Sequence, residues 1–121
     1  MKNRFEWTEV NGRTVLKQDF SNLKQTDLMK FLNMSHELIK DRYEKDIIVV
    51  TNADQAIFDH QVMKHFSKIC EINKPFIGAS AIFNCTFVAR AAIESAAQLS
   101  NRNFLMFYDD EAVEKWLESL K

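Results

Sequence analysis

The chain has 121 residues, a length usual for one domain. Hydrophobic residues make up 46% of it, enough for one packed core, and its two Gly and one Pro exclude collagenous and linker-rich chains. With 16 Lys and Arg against 17 Asp and Glu, the net charge is −1. This balance argues against a dedicated nucleic-acid binder, which usually carries a basic face.

The cysteines and the hydropathy indicate the compartment. Cys70 and Cys85 are too few for a disulfide-stapled scaffold and do not have the spacing of a metal site. No apolar run follows the basic residues near the N-terminus, and no stretch approaches the ~18 apolar residues of a membrane span. We therefore expect a reduced, soluble, cytoplasmic protein without a membrane span.

The first predicted strands form a hairpin. Residues 5–10 and 14–20 are rich in aromatic and β-branched residues, and Asn11-Gly12 lies between them. Because Asn and Gly readily adopt positive φ in a tight turn, this pair predicts two antiparallel strands. Residues 26–40 then carry apolar side chains at three- and four-residue steps, which predicts an amphipathic helix capped by Thr26 or Asp27.

Alternating strands and helices are predicted for the rest of the chain. Residues 47–50 are an unbroken β-branched run, typical of a strand covered on both faces, and 51–54 are predicted as a loop. A helix is expected from near Asp59 to just before Asn73, a strand from Pro75 to residue 82, and an alanine-rich helix over 84–100. A turn at 101–103, a buried strand at 104–107 and a final helix complete the chain.

The predicted element order is therefore ββαβαβαβα, and the fold class is α/β. Consecutive strand–helix–strand units with buried strands imply right-handed parallel crossovers. We expect a single domain over residues 1–121. Its sheet should be mostly parallel, with an antiparallel edge strand and packed helices.

No motif predicts a cofactor or a metal. Phosphate-cradling loops need closely spaced glycines, whereas Gly12 lies in the predicted hairpin turn and Gly78 in a predicted strand. His36, His60 and His65 also lack the spacing of a metal site. We therefore expect neither a cofactor nor a bound metal.

The candidate catalytic groups have structural alternatives. Cys85 is either a thiol activated by a helix N-terminus or a packed side chain beside Phe83 and Phe87, and we favour the packed side chain. The acidic residues 109–111 are interpreted as capping charges of the last helix. No catalytic residue is predicted.

The carboxyl ends of the predicted strands are the expected site of recognition. Parallel sheets bind ligands and partners at this edge, where the loops diverge. The residues expected there are polar, mildly acidic and poor in acid–base pairs, so the edge favours recognition over catalysis. They include Ser21, Asn22, Thr51, Asn52, Asp54, Asn84, Tyr108, Asp109 and Asp110.

Several segments resemble a known family. Residues 73–81, NKPFIGASA, resemble the "NKP…ASA" strand segment of small bacterial STAS-like proteins, uncharacterised relatives of the SpoIIAA anti-sigma-factor antagonist. Residues 101–117 resemble the "GRNF…F…D…EA…WL" ending of those proteins, and residues 11–15 and 19–22 also fit. The likeness spans nearly the whole chain and implies a STAS-like fold that starts with a hairpin.

The resemblance implies a regulatory module that binds a protein partner. Some members use a phosphorylatable serine that opens the helix after the central strand, directly behind an aspartate. Asp59 matches that aspartate, but His60 and Gln61 stand where the serine or its neighbour would be, so a serine phosphoswitch is not expected. The predicted partner-binding residues are Thr51, Asn52, Asp54, Asp59, His60 and Gln61.

Other functions stay open at this point. STAS-like relatives have been grouped with lipid-binding Sec14-type folds, and ten Phe and five Met are enough to line a pocket for a small apolar ligand. An enzyme would need an acid–base pair assembled across loops, and we do not expect one. A homodimer is a further alternative, because an edge strand carrying Trp7 can pair with its copy.

Overall fold

The computed structural model describes residues 3–99 and 104–120. Within them the chain follows the predicted order of strands and helices. The elements are β1 (Phe5–Val10), β2 (Arg13–Asp19), α1 (Gln25–Asp41), β3 (Ile47–Asn52), α2 (His60–Asn73), β4 (Ile77–Phe83), α3 (Phe87–Leu99), β5 (Phe104–Phe107) and α4 (Asp110–Ser119).

The five strands form one mixed sheet in the order β1-β2-β3-β4-β5. β1 pairs antiparallel with β2, with Trp7 opposite Leu16, and the strands from β2 to β5 are parallel neighbours. The predicted α/β class, the element order and the antiparallel edge strand are therefore confirmed.

The hairpin between β1 and β2 has the turn that its sequence predicts. Asn11 and Gly12 adopt φ values of 52° and 79°, and Val10 lies opposite Arg13. Positive φ at both central residues matches the twist of the two strands. The Asn11 Nδ2 also donates to the carbonyls of Glu118 and Leu120 at 3.1 and 2.8 Å, which fastens the hairpin to the end of α4.

The helices are divided unequally between the two faces of the sheet. Each parallel connection steps to the next strand in the same direction, so right-handed crossovers place α1, α2 and α3 on one face. The core on that face includes Leu28, Val62 and Ile93. On the other face α4 packs alone and contributes Val113 and Leu117 to a second core.

β3 is covered on both faces, as its unbroken β-branched run predicts. Its side chains are buried from Ile47 through Thr51. Val49 packs with the α1 residue Ile39, whereas Val50 joins the core under α4. A strand covered on both sides has no solvent face, and its sequence therefore shows no polar alternation.

Two predicted boundaries of β3 and β4 were wrong. Thr51 and Asn52 continue β3 instead of starting a loop, because both pair with β2 and β4. Pro75 does not open β4, which begins at Ile77. Pro75 lies in a turn closed by the Phe76 N–H, which donates to the Asn73 carbonyl at 2.9 Å.

The start of α3 also differs from the prediction. The helix begins at Phe87 rather than near residue 84. Asn84 adopts φ 60°, outside the helical region, and the Thr86 hydroxyl accepts a hydrogen bond from the Ala89 N–H at 3.1 Å. A threonine that caps the first turn in this way fixes where the helix starts.

β5 is not the buried strand that its four apolar residues predicted. It is an edge strand, Leu105 is exposed, and the other three residues are partly exposed. An edge strand has a neighbour on one side only, a fact that a short apolar run does not encode. The turn predicted at residues 101–103 lies outside the described residues.

Gly78 is required by a close backbone approach. A Cβ built on it would lie 2.9 Å from the Cα of Asp46 and 3.1 Å from that residue's carbonyl carbon and oxygen. Backbone atoms cannot rotate away as a flexible side chain can. The start of β4 can therefore lie against the segment before β3 only if this position has no side chain.

We predict that Gly78→Ala lowers the free energy of unfolding by about 1–3 kcal/mol, because the added methyl group forces the two segments apart. Urea denaturation of both proteins measures the difference. Gly12→Asn is the matched control: the space around Gly12 is open, and asparagine tolerates positive φ. Equal losses in the two variants would contradict the steric explanation.

Candidate functional site

The four parallel strands end at one edge of the sheet, and their loops are joined there by backbone hydrogen bonds. The Asn22 N–H donates to the Asp54 carbonyl at 2.9 Å, and the Ile57 N–H donates to the Leu23 carbonyl at 3.0 Å. The Ala53 N–H donates to the carbonyl of Phe83, also at 3.0 Å. Three successive loops therefore form one connected frame at the carboxyl edge.

This frame contains backbone in an unfavourable conformation. Asn22, Gln55 and Asn84 have φ values of 62°, 57° and 60°. Asparagine tolerates the left-handed region, but for glutamine it costs about 1–2 kcal/mol. Tyr43 and Asp46, at the other end of β3, have the same conformation, so the positive φ values do not by themselves mark a functional site.

The predicted residue Thr51 is buried, with a relative exposure of 8%. Its hydroxyl accepts a hydrogen bond from the Gln18 Nε2 at 2.8 Å, and the Gln18 Oε1 accepts one from the Ser35 hydroxyl at 2.6 Å. The side chain faces α1 and belongs to a polar network inside the core. It is not presented to a partner.

Asn52 and Asp54 lie at the edge but differ in orientation. Asn52 follows Thr51, so it points to the opposite face of the sheet, which is the side of α4. Its Oδ1 accepts hydrogen bonds from the Asp54 N–H at 3.0 Å and from the Asn84 Nδ2 at 3.4 Å. Asp54 is exposed.

Asp59, His60 and Gln61 lie at the start of α2. The Asp59 carboxylate accepts a hydrogen bond from the Val62 N–H at 2.9 Å and so caps the helix. His60 and Gln61 are both exposed. The six predicted residues therefore do not form one surface. Four of them belong to the loop and helix start at 54–61, whereas Asn52 points to the other face of the sheet and Thr51 is buried in the core.

Sequence reasoning missed three exposed apolar side chains beside this loop. Phe87 is 87% exposed, Val88 77% and Ile57 53%. Ile57 and Val88 line the same depression, of about 240 Å³, together with Gln55 and Thr86. We call Ile57, Phe87 and Val88 the edge patch.

The sequence did contain a signal for Phe87. The inward positions of α3 include Ala89, Ile93 and Ala96, at steps of four and three residues. A helix turns 100° per residue, so Phe87, two positions before Ala89, lies on the opposite side. The helical phase of the alanines thus predicts an exposed phenylalanine, and the interpretation of Phe87 as packing beside Cys85 was wrong.

The comparison with known proteins supports the architecture. The chain is similar to the crystal structure of an uncharacterized protein of the DUF3478 family with a SpoIIAA-like fold from Shewanella loihica PV-4. The TM-score is 0.61 at 12% sequence identity, over 93% of this chain and 91% of that one. The fold is SpoIIAA-like. No protein-family model and no curated protein matches the chain.

Two further spaces of the SpoIIAA-like fold bear on ligand binding, one in the core and one at the surface. One is a small cavity of about 40 Å³ between the sheet and the helices. That volume has room for water but not for a lipid. It is lined by the five buried polar residues: Gln18, Ser35, Thr51, Asn73 and Ser80.

The other space is an open groove of about 1010 Å³ between β1 and the outer side of α1. We call it the β1–α1 groove. Phe5 and Trp7 line it from the strand, and Met29, Met34 and Leu38 line it from the helix. It is the larger of the two spaces, and it lies at the antiparallel edge of the SpoIIAA-like sheet, away from the edge patch.

Among the described residues, no group of three His, Cys, Asp or Glu side chains could hold a metal ion, and no helix is both long and apolar enough to cross a membrane. Cys85 is half-buried against the main core. Burial raises the pKa of its thiol, and the nearby Arg90 guanidinium only partly opposes that effect. This environment is the reverse of one that activates a thiol.

We predict that Asp59→Ala lowers the free energy of unfolding by about 1 kcal/mol, because the first turn of α2 loses its cap. Thermal and urea denaturation measure the loss. Asp59→Asn is the control, since asparagine caps helices as well as aspartate does and should keep most of the stability. An equal loss in both variants would show that the charge, not the cap, is what matters.

We predict that Cys85 reacts with iodoacetamide more slowly at neutral pH than the thiol of a short unstructured peptide. The raised pKa leaves a smaller fraction as thiolate, and that difference should narrow as the pH rises. Mass-spectrometric peptide mapping over time separates Cys85 from Cys70. Faster labelling of Cys85 than of the peptide would restore the interpretation as an activated thiol.

Proposed function

We propose that this SpoIIAA-like protein is a non-enzymatic regulatory module that binds a protein partner. The observation that carries the proposal is the edge patch, where a phenylalanine, a valine and an isoleucine are more than half exposed. Soluble proteins rarely leave such residues grouped in the open, and groups of this kind mark interaction sites.

The surroundings of the edge patch support protein binding. Asp54, His60 and Gln61 are exposed on the same loop and helix start as Ile57. An apolar centre with a polar rim is the usual composition of a protein–protein interface. The backbone hydrogen bonds between loops hold this surface in one shape, which lowers the entropy lost on binding.

The use of two of the carboxylates at this edge, Asp59 and Asp109, supports a non-enzymatic role. Asp59 accepts from the Val62 N–H at 2.9 Å, and Asp109 accepts from the Ala112 N–H at 3.0 Å. Both groups are therefore engaged in capping helices. A general base must instead reach the proton that it removes from a substrate.

The residues at the start of α2 support regulation without a serine phosphoswitch. His60 and Gln61 occupy the first two positions of the helix and have no hydroxyl to phosphorylate. Thr51, the nearest hydroxyl in β3, is buried and hydrogen-bonded to Gln18. We accordingly propose that binding is controlled by the amount or state of the partner.

The proposal places the protein in the cytoplasm, with no nucleic-acid partner. Cys70 and Cys85 are not joined in a disulfide, which suits a reducing compartment. The net charge of −1 gives no electrostatic attraction to a polyphosphate backbone.

A second function, carriage of a small apolar ligand, is favoured by one observation. The β1–α1 groove, at about 1010 Å³, has the size of a ligand site and is lined mainly by apolar atoms. A carrier would retain a ligand in that groove during gentle purification. Native mass spectrometry would then show an added mass that is lost on denaturation.

We predict that Phe87→Ser combined with Val88→Ser reduces capture of the partner at least tenfold. Truncating buried apolar anchors at the centre of an interface typically costs more than about 1.4 kcal/mol, the equivalent of a tenfold change in affinity. Quantitative mass spectrometry of proteins crosslinked to the tagged chain in its own host lysate provides the measurement.

Ile72→Ser is the matched control for this experiment. Ile72 is also an exposed apolar residue, but it lies at the opposite end of α2 from the edge patch. Proteins that the wild type and this control enrich, and that the double variant loses, would identify the partner. Equal enrichment by all three chains would contradict the proposed site, and so would a wild type that enriches nothing.

A further inference from the structure

The wall of the β1–α1 groove that α1 provides is a regular array. Eight residues of α1 line the groove, and they form two rows at four-residue spacing. Rows of this kind are the ridges through which helices pack against each other. One row contains Thr26, Lys30, Met34 and Leu38, and the other contains Met29, Asn33, Glu37 and Asp41.

The β1 side chains that line the groove lie beside the middle of α1. The strand side consists of Asn3, Phe5 and Trp7, and Phe5 contacts Phe31 near the middle of α1 with ring centroids 6.0 Å apart. At one end the Arg42 guanidinium lies 4.5 Å from the centre of the Trp7 ring. The middle of the groove therefore lies beside Phe5 on the strand and beside the middle of α1 on the helix.

If a second copy of α1 is placed antiparallel to the first, the side chains of one row are complementary to those of the other row. A twofold axis between Asn33 and Met34 would bring one row opposite the other row of a second copy. Met29 would then face the second copy's Leu38, so that apolar side chains meet on both sides of the axis. The Asn33 Oδ1 already contacts the His65 Nε2 at 2.7 Å, so only the Nδ2 of this side chain needs water or an acceptor near the axis.

The charges agree with the same arrangement. Lys30 would face the second copy's Glu37, and the symmetry repeats that pair on the other side of the axis. In the single chain Glu37 pairs with Lys40 at 2.9 Å, and both side chains are about half exposed. An exposed ion pair of this kind contributes little to stability, so Glu37 can exchange Lys40 for Lys30 of the second copy at little cost.

We propose that a second copy of this chain covers the β1–α1 groove, with the two α1 helices antiparallel about a twofold axis at Asn33 and Met34. The carboxylates of Glu37 and Asp41 outnumber the single lysine that lines the groove, which disfavours an anionic lipid or membrane surface as its occupant. The helices make the proposed contact, because the two rows that match each other both lie on α1.

Charge reversal tests the proposed pairing in the full chain. Sedimentation velocity over a concentration series compares the wild type with Lys30→Glu, Glu37→Lys and the double variant. Each single change replaces two attractive pairs per dimer with repulsive ones, so the dimer dissociation constant should rise about tenfold or more. The double variant restores opposite charges across the axis and should regain most of the wild-type affinity.

Lys64→Glu, an exposed change on α2 outside the groove, is the control and should leave the dissociation constant unchanged. Far-UV circular dichroism confirms that all variants are folded. A wild type that is monomeric at every concentration would overturn the proposal. A dimer whose dissociation constant is unchanged by both single charge reversals would overturn it too. Native mass spectrometry tests whether a small apolar ligand occupies the groove instead. A monomer that carries such a ligand would also overturn the proposal.

Discussion

The handedness of the parallel crossovers is the constraint on which the rest of the structure depends. Four parallel strands follow each other in sequence and in space, so every right-handed connection places its helix on the same face. The same constraint gathers four strand ends at one edge, where Asn22, Asp54, Ile57 and Ala53 join neighbouring loops by backbone hydrogen bonds. The topology therefore fixes where the candidate surface lies, and the side chains determine only its chemistry.

One helix covers the second face of the sheet. α4 is held by Val113 and Leu117 beneath it, by the Lys17–Glu114 ion pair at 2.8 Å, and by Asn11 at its carboxyl end. Lys17 and Glu114 are both more than a third exposed, so their ion pair adds little to stability and the apolar contacts supply most of the attachment. The antiparallel hairpin thus does more than extend the sheet, because its turn also positions the last helix.

The edge patch and the β1–α1 groove are two separate groups of apolar side chains that the core does not bury. The edge patch lies where α2 and α3 begin, at the carboxyl ends of the parallel strands, and the β1–α1 groove lies beside the edge strand β1. The two surfaces share no residue. By contrast, the buried polar groups face inward around a cavity of about 40 Å³, so that the interior is closed to a lipid.

Part of the candidate site could be predicted from local pattern. Asp59 at the start of α2 followed from the helix signal, and the loop after β3 followed from the parallel topology. Thr51 was misassigned because its neighbours across the sheet decide whether a strand end is buried: Gln18 and Ser35, from β2 and α1, enclose it. Ile57 was missed because an isolated apolar residue in a loop carries no periodicity.

The SpoIIAA-like class was indicated by the resemblance of several segments to STAS-like proteins, whereas the sequence by itself determined the element order, the hairpin turn and the two-sided burial of β3. Each of these depends on residues that are near one another in the chain, where periodicity and turn preference act. The tertiary structure decided the rest: that β5 is an edge, that Gly78 lies against Asp46, and that Phe87 and the outer rows of α1 are left uncovered. Those outcomes depend on which distant segments meet, and a local pattern does not contain that information.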